Sequence, residues 1–276
     1  MRLHERSSLQ ELTSKADWVR KETIRIHGIC PETRIASSLS DVEIFVCLCY
    51  GGILNLNPSD LQDEKRSRLI ISKGHGGVSL YPIFADLGFF PFEELSTITQ
   101  PGSRFGSIPD CAVPGFETTN GSLGHGLGVA AGMAIGLHAK HNPASVVVVC
   151  GDGELYEGSV WEAAMLAGHH ALDSMTLIVD RNRRCMLDFT SNVIELDPLD
   201  KKFEAFGWLP TVVDGNDIAT LLPCLEDVVA QRKKKPKVII AETIKGKGIP
   251  ELESDPLCHI RSLSRERVAQ LVEGQP

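Results

Sequence analysis

The sequence predicts an α/β fold in which a doubly wound parallel sheet is covered by helices on both faces. Two short apolar runs rich in β-branched residues, 146–149 and 175–179, are typical of buried parallel strands. A helix predicted near 161–171 separates them, and strands that alternate with helices build a parallel sheet. Of the 276 residues, 42% are hydrophobic, which is ample for a core. Because no linker-like or low-complexity segment divides the chain, we expect a single domain over 1–276.

Helical periodicity and capping signals place the other elements. Apolar residues at helical spacing predict a first helix over 9–27. Ser40 followed by Glu43 predicts a capping box that opens a helix at 41–50. The remaining predicted strands are 210–213 and 238–242, and the remaining predicted helices are 124–140, 199–206 and 219–233.

The predicted helix 124–140 carries glycines at a strict interval of four: Gly124, Gly128, Gly132 and Gly136. Each glycine inside a helix costs about 1 kcal/mol relative to alanine. The stripe therefore indicates that another backbone or a ligand comes very near. The short apolar length argues against a membrane helix, so we expect close packing in a core.

Charge and cysteine usage exclude several classes of function. The formal net charge of −8 argues against binding to nucleic acid or to an anionic membrane, because phosphates attract basic surfaces. The eight cysteines include no CxxC or other paired metal-ligand spacing, which fits free thiols in a reducing compartment. Residues 1–6 are too charged for a secretion signal, and no apolar run is long enough to span a membrane. We therefore expect a soluble, cytoplasmic protein.

Oxygen-bearing side chains follow both central strands, where open α/β sheets bind ligands. Gly151-Asp152-Gly153 follows the first strand and Asn182 follows the second. A carboxylate and an amide oxygen suit Mg²⁺, or Ca²⁺ in its place, better than zinc or copper. The flanking glycines let the backbone approach a diphosphate closely, with free N–H groups at the start of the next helix. We predict a metal–diphosphate site, although Gly-Asp-Gly alone also fits an ordinary tight turn.

The interval from Asp152 to Asn182 resembles the thiamine diphosphate signature of the transketolase family. Five further segments extend the resemblance over nearly the whole chain: Ser72-Lys73-Gly74-His75, Gly121-Ser122-Leu123-Gly124-His125-Gly126, Phe203-Glu204-Ala205-Phe206-Gly207-Trp208, Val213-Asp214-Gly215 and Thr243-Ile244-Lys245-Gly246-Lys247-Gly248. The resemblance implies the family's thiamine-diphosphate-binding fold and a thiamine diphosphate cofactor with Mg²⁺. It also implies transfer of a two-carbon ketol unit from a small-molecule ketone donor to an aldehyde or another acceptor.

The resemblance also assigns roles to individual residues. Asp152, Asn182 and the backbone carbonyl of Arg184 would hold the metal. The residues that would contact the cofactor are His75, Gly121, Ser122, Leu123, Gly151, Asp152, Gly153, Asn182 and Met186. His75 would contact the diphosphate or lie beside the reacting carbon.

Three more residues are candidate catalytic groups besides His75. His259 would hydrogen-bond the diphosphate or a substrate oxygen and act as acid or base. A structural histidine is the alternative, because the family's following glycine is replaced by Ile260. Glu157 and Glu162 match glutamates that link two active sites across the family's dimer, and exposed helix residues are the alternative.

The chain departs from the family at positions that face the substrate. A family histidine in Gly-His-Ile/Pro-Gly is replaced by Arg34, and another in Gly-His-Pro is replaced by Ile108. The cofactor residues are kept, which suggests intact thiamine chemistry on an unusual donor or acceptor. Arg34 would offer a fixed cation to a carboxylate or phosphate of the substrate.

The resemblance covers only the first domain of a full-length transketolase, which continues into a pyrimidine-binding domain whose glutamate activates the cofactor. We therefore expect the N-terminal, or α, subunit of a split enzyme. Its partner would be a C-terminal, or β, transketolase-like subunit that carries the pyrimidine domain. The expected assembly is an α₂β₂ heterotetramer with the glycine-striped helix near the interface.

Three alternatives stay open. A specialised-metabolism enzyme would deliver the two-carbon unit to a carrier-protein thiol or lipoyl arm, which the lost substrate histidines favour. A 2-oxoacid dehydrogenase α subunit fits less well, because the segments around Lys73 and Lys245 resemble transketolase. A non-catalytic binding subunit is disfavoured by the intact metal and glycine residues. The sequence identifies no donor, acceptor or pathway.

Overall fold

The computed structural model describes residues 7–274, so residues 1–6, which argue against a secretion signal, lie outside it. The strands are β1 (Arg68–Ile71), β2 (Val146–Gly151), β3 (Met175–Arg181), β4 (Leu209–Asp214) and β5 (Lys237–Glu242). All neighbouring strands are parallel, and they form one sheet in the order β1-β2-β3-β5-β4. The predicted α/β class and parallel sheet are confirmed. The four predicted strands are present, and β1 is a strand that the sequence patterns did not predict.

Helices cover both faces of this sheet. One face carries α1 (Leu9–Ile29), α2 (Ile35–Ser40), α3 (Val42–Tyr50), α4 (Leu80–Asp86), α9 (Ile218–Ala230) and α11 (Arg265–Glu273). The other carries α5 (Gly126–Ala139), α6 (Gly158–His169) and α8 (Leu199–Ala205). Two short helices, α7 (Thr190–Val193) and α10 (Pro250–Ser254), lie in the loops that follow β3 and β5. No helix within residues 7–274 has the length and hydropathy that crossing a bilayer requires.

The apolar strands are explained by the two-sided burial. On β2, Val147 and Val149 pack into the core on the α1 side, whereas Val146 and Val148 pack into the core on the α5 side. All four side chains are fully buried. Because successive side chains of a strand point to opposite faces, a sheet covered on both faces needs a continuous apolar run.

The capping box lies at a different place from the one predicted. Ser8 Oγ accepts the Glu11 N–H at 3.3 Å, and Glu11 Oε2 accepts the Ser8 N–H at 2.7 Å, which starts α1. Ser40 instead ends α2 and donates its hydroxyl to Asp180 at 2.7 Å, while Glu43 forms an ion pair with α1. The predicted capping box at Ser40 is wrong because tertiary contacts engage both of its side chains.

The glycine stripe of α5 is bare on this chain. Apart from the adjoining backbone of α5 and the neighbouring residues, a Cβ atom added at Gly128, Gly132 or Gly136 would meet no atom of residues 7–274 within 4 Å. Val129 and Ile135 on the same helix are 41% and 39% exposed. The opposite side of α5 packs its leucines and alanines into the core. The expectation of close packing within the core is therefore wrong for these three glycines, whereas Gly124, which precedes α5, is buried against Glu157 and Ser159.

Candidate functional site

The carboxyl ends of β1, β2, β3 and β5 surround a pocket of about 350 Å³, a volume in the range of cofactor sites. Parallel strands bring these ends to one edge of the sheet. The pocket brings together most of the predicted site residues: Arg34, His75, Gly121, Leu123, Gly151, Asp152, Gly153, Asn182, Arg184, Met186 and His259. Three predicted residues, Ser122, Glu157 and Glu162, are exposed and do not line it.

The Asp152 carboxylate is held by the backbone at the end of β2. Its Oδ1 accepts the Gly153 N–H at 2.8 Å, and its Oδ2 accepts the Arg183 N–H at 2.5 Å. Burial, followed by the charge of Asp180, raises the pKa of this carboxyl to about 7. A buried carboxylate whose ionised form is so disfavoured gains strongly from a nearby cation.

The Asn182 amide is oriented by its neighbours. Its Nδ2 donates to Asp180 Oδ2 at 2.8 Å, and its Oδ1 accepts the Arg184 N–H at 3.2 Å. Between them, Arg183 adopts a left-handed conformation with φ of 62°, which a bulky residue rarely does. Such strained positions occur at functional sites, and this one turns the Arg183 N–H toward Asp152.

The oxygen atoms of this loop fit a hard cation held together with a diphosphate. Asp152 offers a carboxylate, Asn182 an amide oxygen and Arg184 a backbone carbonyl, all suited to Mg²⁺. The Arg184 carbonyl accepts Lys245 Nζ at 3.0 Å, which occupies one of its two lone pairs. Within residues 7–274, no group of three His, Cys, Asp or Glu side chains is arranged to hold a metal. A cation here would therefore be bound by the carboxylate, amide and backbone oxygens of Asp152, Asn182 and Arg184, together with oxygens of the bound diphosphate.

A buried charge network lies behind the pocket. Lys73 Nζ pairs with Asp180 and, at 2.9 Å, with Asp41, and no side chain of the three is more than 2% exposed. Burial alone would lower the pKa of Lys73, but the two carboxyl groups raise it above its ordinary value. Burial raises the pKa of Asp41, whereas Lys73 holds that of Asp180 low in spite of burial. Lys73 therefore balances an ionised Asp180, which in turn orients Asn182.

Glu154 fixes the glycine loop, residues 121–126, which lines the pocket through Gly121 and Leu123. Its Oε1 accepts the Gly124 N–H at 2.9 Å and the Ser72 hydroxyl, and its Oε2 accepts the Gly151 N–H at 3.2 Å. One carboxylate thus joins the ends of β1 and β2 to the loop that carries Gly121. Left-handed φ values at Gly121 and Gly124, 133° and 84°, explain why this loop uses glycine.

His75, His259 and Lys245 form one polar wall of the pocket. The His75 and His259 rings meet edge to face with centroids 5.1 Å apart. Burial and the charge of Lys73 lower the pKa of His75 well below its ordinary value. Burial, then Lys245 and Arg34, lower the pKa of His259 to about 3. Both rings are therefore neutral at physiological pH.

Arg34 lies at the start of α2, where its side chain is exposed and lines the pocket. Its guanidinium makes no hydrogen bond or ion pair with any side chain or backbone group of residues 7–274, and its charge reaches His259. Glu157 instead precedes α6 and Glu162 lies on that helix, so both face away from the pocket lining.

Sequence reasoning missed several residues that build the site. Lys73 and Lys245 stand in segments that resemble the family but received no role. Asp180 ends an apolar run, and a carboxylate at that place is the signal that could have identified it. Tyr156 also lines the pocket, and its single hydroxyl proton is shared between the carbonyls of Thr190 at 2.8 Å and Ile194 at 3.1 Å, which fixes the loop after β3.

Comparisons with known proteins agree with this geometry. Residues 37–274 match the family model described as "Transketolase, thiamine diphosphate binding domain". The chain is 39% identical over 254 residues to one subunit of the apulose-4-phosphate transketolase of Actinobacillus succinogenes, covering 91% of each chain. It is 35% identical over 257 residues to one subunit of the 6-deoxy-6-sulfo-D-fructose transketolase of a Clostridium species, covering 93% of each chain.

The fold is also that of solved transketolases. The structure of transketolase from Campylobacter jejuni superposes with a TM-score of 0.84 at 27% identity. The match covers 97% of this chain and 47% of that one, so this chain spans about half of that transketolase. The chain therefore belongs to the transketolase family and is similar over nearly its whole length to proteins named as single transketolase subunits.

Proposed function

We propose that this chain is the thiamine diphosphate and Mg²⁺ subunit of a split transketolase-like transferase. The enzyme would move a two-carbon ketol unit from a ketone donor to an acceptor and would need a separate subunit with a pyrimidine domain. The observation that carries this proposal is the convergence of Asp152, Asn182 and the Arg184 carbonyl at one pocket edge. The extent of one domain over 1–276 and a cytoplasmic location stay predictions.

The pocket residues divide the work of holding the cofactor. Asp152, Asn182 and the Arg184 carbonyl would hold Mg²⁺, with Ca²⁺ as a substitute, and Gly151 and Gly153 leave room for the diphosphate. When bound, thiamine diphosphate supplies an electron sink for cleavage of the donor's carbon–carbon bond. Met186 would contact the rings of the cofactor.

The remaining predicted cofactor contacts lie on the glycine loop. Gly121 and Leu123 line the pocket and would meet the thiazolium and aminopyrimidine region, whereas Ser122 points to solvent on this chain. The neutral His75 and His259 would donate hydrogen bonds to the diphosphate or to substrate oxygens.

The pocket mouth is bordered by an apolar surface that fits a partner protein. Large hydrophobic side chains on the loop after β3 are exposed: Met186 57%, Leu187 66%, Phe189 39%, Val193 37% and Ile194 61%. Patches of this kind mark interaction sites. The two relatives described above are named as transketolase subunits, which implies a partner for those proteins. We propose that the partner's pyrimidine domain covers this surface and that an α₂β₂ assembly buries the glycine stripe and Glu157.

The substrate side of the pocket favours an anionic donor. Arg34 is a cation without a partner in the described chain, and it stands beside His259. Two relatives are named for a sugar phosphate and a sulfonated sugar, which are anionic. We therefore place a small anionic ketose ahead of the alternative acceptor, a carrier-protein thiol or lipoyl arm.

Calorimetric binding of thiamine diphosphate with Mg²⁺ to the assembled subunits tests the proposal. Asp152→Ala and Asn182→Ala should each abolish Mg²⁺-dependent binding, because each removes one of the few protein oxygens that complete an octahedral site. Asp200→Ala, on α8 and outside the pocket, is the matched control and should bind as the wild type does. Unchanged affinity in both pocket variants would rule out the metal assignment.

A further inference from the structure

We propose that Arg184 is a positioning residue that makes the placement of His259 depend on the loop after β3. The inference rests on the proposed function, because that loop is the one expected to hold the cation and the diphosphate. It concerns the Arg184 side chain, which the expected metal role of the Arg184 carbonyl does not use.

The Arg184 guanidinium is bound to the chain segment that carries His259. Its Nη1 donates to the Asp255 carbonyl at 2.5 Å, and its Nη2 donates to the Glu253 carbonyl at 2.7 Å. Nη1 also lies 3.5 Å from Cys258 Sγ, next to His259 in sequence. The planar, branched donors of arginine suit this two-carbonyl contact, which a lysine cannot reproduce.

The Glu253 carbonyl needs a donor, whereas the Asp255 carbonyl also accepts the Cys258 N–H at 3.1 Å. Glu253 lies in the last turn of α10, and the last carbonyls of a helix have no partner within the helix. Basic side chains at a helix C-terminus commonly satisfy them. Arg184 does so from a different part of the chain, 69 positions away from Glu253, so the contact joins two loops that are distant in sequence.

The backbone of Arg184 makes a second link to the same histidine. Its carbonyl accepts Lys245 Nζ at 3.0 Å, and the same Nζ lies 3.0 Å from His259 Nδ1. Arg184 thus reaches His259 through its side chain and through Lys245. The base of the Arg184 loop is a short hairpin in which Arg184 bridges Phe189, and the guanidinium lies over that ring at 5.1 Å.

The consequence is a coupling between the two loops. A ligand that orders the loop of Asn182 and Arg184 would also order the segment 253–260, because both Arg184 contacts span the gap. Linkage requires the converse as well, so loosening that segment weakens ligand binding to the loop by the same factor. His259 would then be held in place in the loaded state more firmly than in the empty one.

Amide hydrogen exchange on the assembled subunits, with and without thiamine diphosphate and Mg²⁺, tests the inference. In the wild type, cofactor loading should slow exchange across 253–260 on the order of tenfold. Arg184→Met should remove most of this cofactor-dependent protection, and Arg184→Lys should give an intermediate value and also serves if the methionine variant fails to fold. Arg261→Met is the matched control, because Arg261 contacts the Asp255 side chain at 2.6 Å without reaching the loop after β3.

Kinetics gives a second readout. Arg184→Met should lower kcat more than it raises the donor KM, since His259 is displaced while Arg34 and the other lining residues remain. If the loaded wild type gains no protection at 253–260, or if Arg184→Met keeps it, the positioning role is wrong. A wild-type complex that binds no cofactor at all would instead overturn the proposed function, and this inference with it.

Discussion

Lys245 Nζ lies 3.0 Å from His259 Nδ1, and this contact sets the chemistry that His259 offers to the pocket. An ammonium group can only donate, so Nδ1 accepts and the single proton of the neutral imidazole lies on Nε2. The lowered pKa of His259, about 3, keeps the ring neutral. His259 therefore presents an N–H donor rather than a positive charge.

Replacement of Lys245 should raise the pKa of His259. In Lys245→Met the pKa of His259 should rise above its present value of about 3, because a neighbouring cation no longer penalises the imidazolium, while burial keeps it below its ordinary value. NMR titration of the His259 ring measures this. Lys247→Met, which removes a lysine outside the pocket, is the control, and an unchanged His259 titration in Lys245→Met would show that Lys245 does not lower the pKa of His259.

Acid should destabilise the fold through His27. This side chain is fully buried, its Nε2 accepts the Leu263 N–H at 3.1 Å, and burial lowers its pKa to about 4. Between about pH 6.5 and pH 4 the unfolded chain binds a proton here that the folded chain does not. Stability is therefore complete above that window and falls as the pH falls through it, by on the order of 3 kcal/mol.

Urea unfolding at neutral pH and at about pH 4.5 checks this slope. His27→Gln should reduce the pH dependence of the unfolding free energy, although it lowers stability at neutral pH. The pKa values of His75 and His259 are lowered too, so the difference between variant and wild type isolates His27. His141→Gln, in an exposed loop, is the control. Equal slopes in His27→Gln and the wild type would show that His27 does not titrate in this way.

The sequence predicts the sheet and the loops that carry Asp152 and Asn182 because both depend on local signals. A run such as 146–149 has to be apolar when both faces are covered, and polar ligands have to follow it. The pattern does not predict β1, because this strand has only four residues and begins with an arginine, which leaves an apolar run of three. The capping pattern of Ser40 and Glu43 predicts the wrong contacts because it cannot show that tertiary partners compete for the same groups.

The network around the site depends on contacts between distant parts of the chain. Lys73 meets Asp180 across 107 positions, and Glu154 meets Ser72 across 82. No periodicity or spacing rule encodes such pairs, although a lysine in a buried segment requires a partner. No spacing rule predicts the contact of Lys245 with His259 either, because it depends on how the chain after β5 folds back on itself.

Arg34 should control donor binding and leave cofactor binding unchanged. Its guanidinium lines the pocket without a partner among residues 7–274, so it is available to an anionic donor. Arg34→Met should raise the KM of such a donor by about tenfold to hundredfold, the cost of one hydrogen bond to a charged group. Steady-state kinetics with ketose phosphates measures the effect. Arg34→His should instead favour ordinary sugar donors, and unaltered kinetics in both variants would show that Arg34 does not face the substrate.

The bare glycine stripe predicts that Gly132→Ala stabilises the isolated chain and that Gly132→Leu weakens assembly with the partner subunit. A Cβ atom added there meets no described atom within 4 Å, so Gly132→Ala should raise the unfolding free energy of the isolated chain by about 0.5–1 kcal/mol, the helix-propensity gain. Gly132→Leu should be tolerated by the isolated chain for the same reason. In the assembly, however, a bulky side chain would hold off a surface that approaches the glycine backbone closely.

Urea unfolding of the isolated chain and sedimentation of the mixed subunits separate these effects. Gly132→Leu should weaken assembly by at least about tenfold, which is the loss of roughly 1.4 kcal/mol of binding free energy. His138→Leu, exposed in the last turn of the same helix, adds the same side chain away from the glycine face and is the control. If Gly132→Leu assembles as tightly as His138→Leu and the wild type, α5 does not lie in the interface, and only the exposed loop around Leu187 remains as the proposed partner surface.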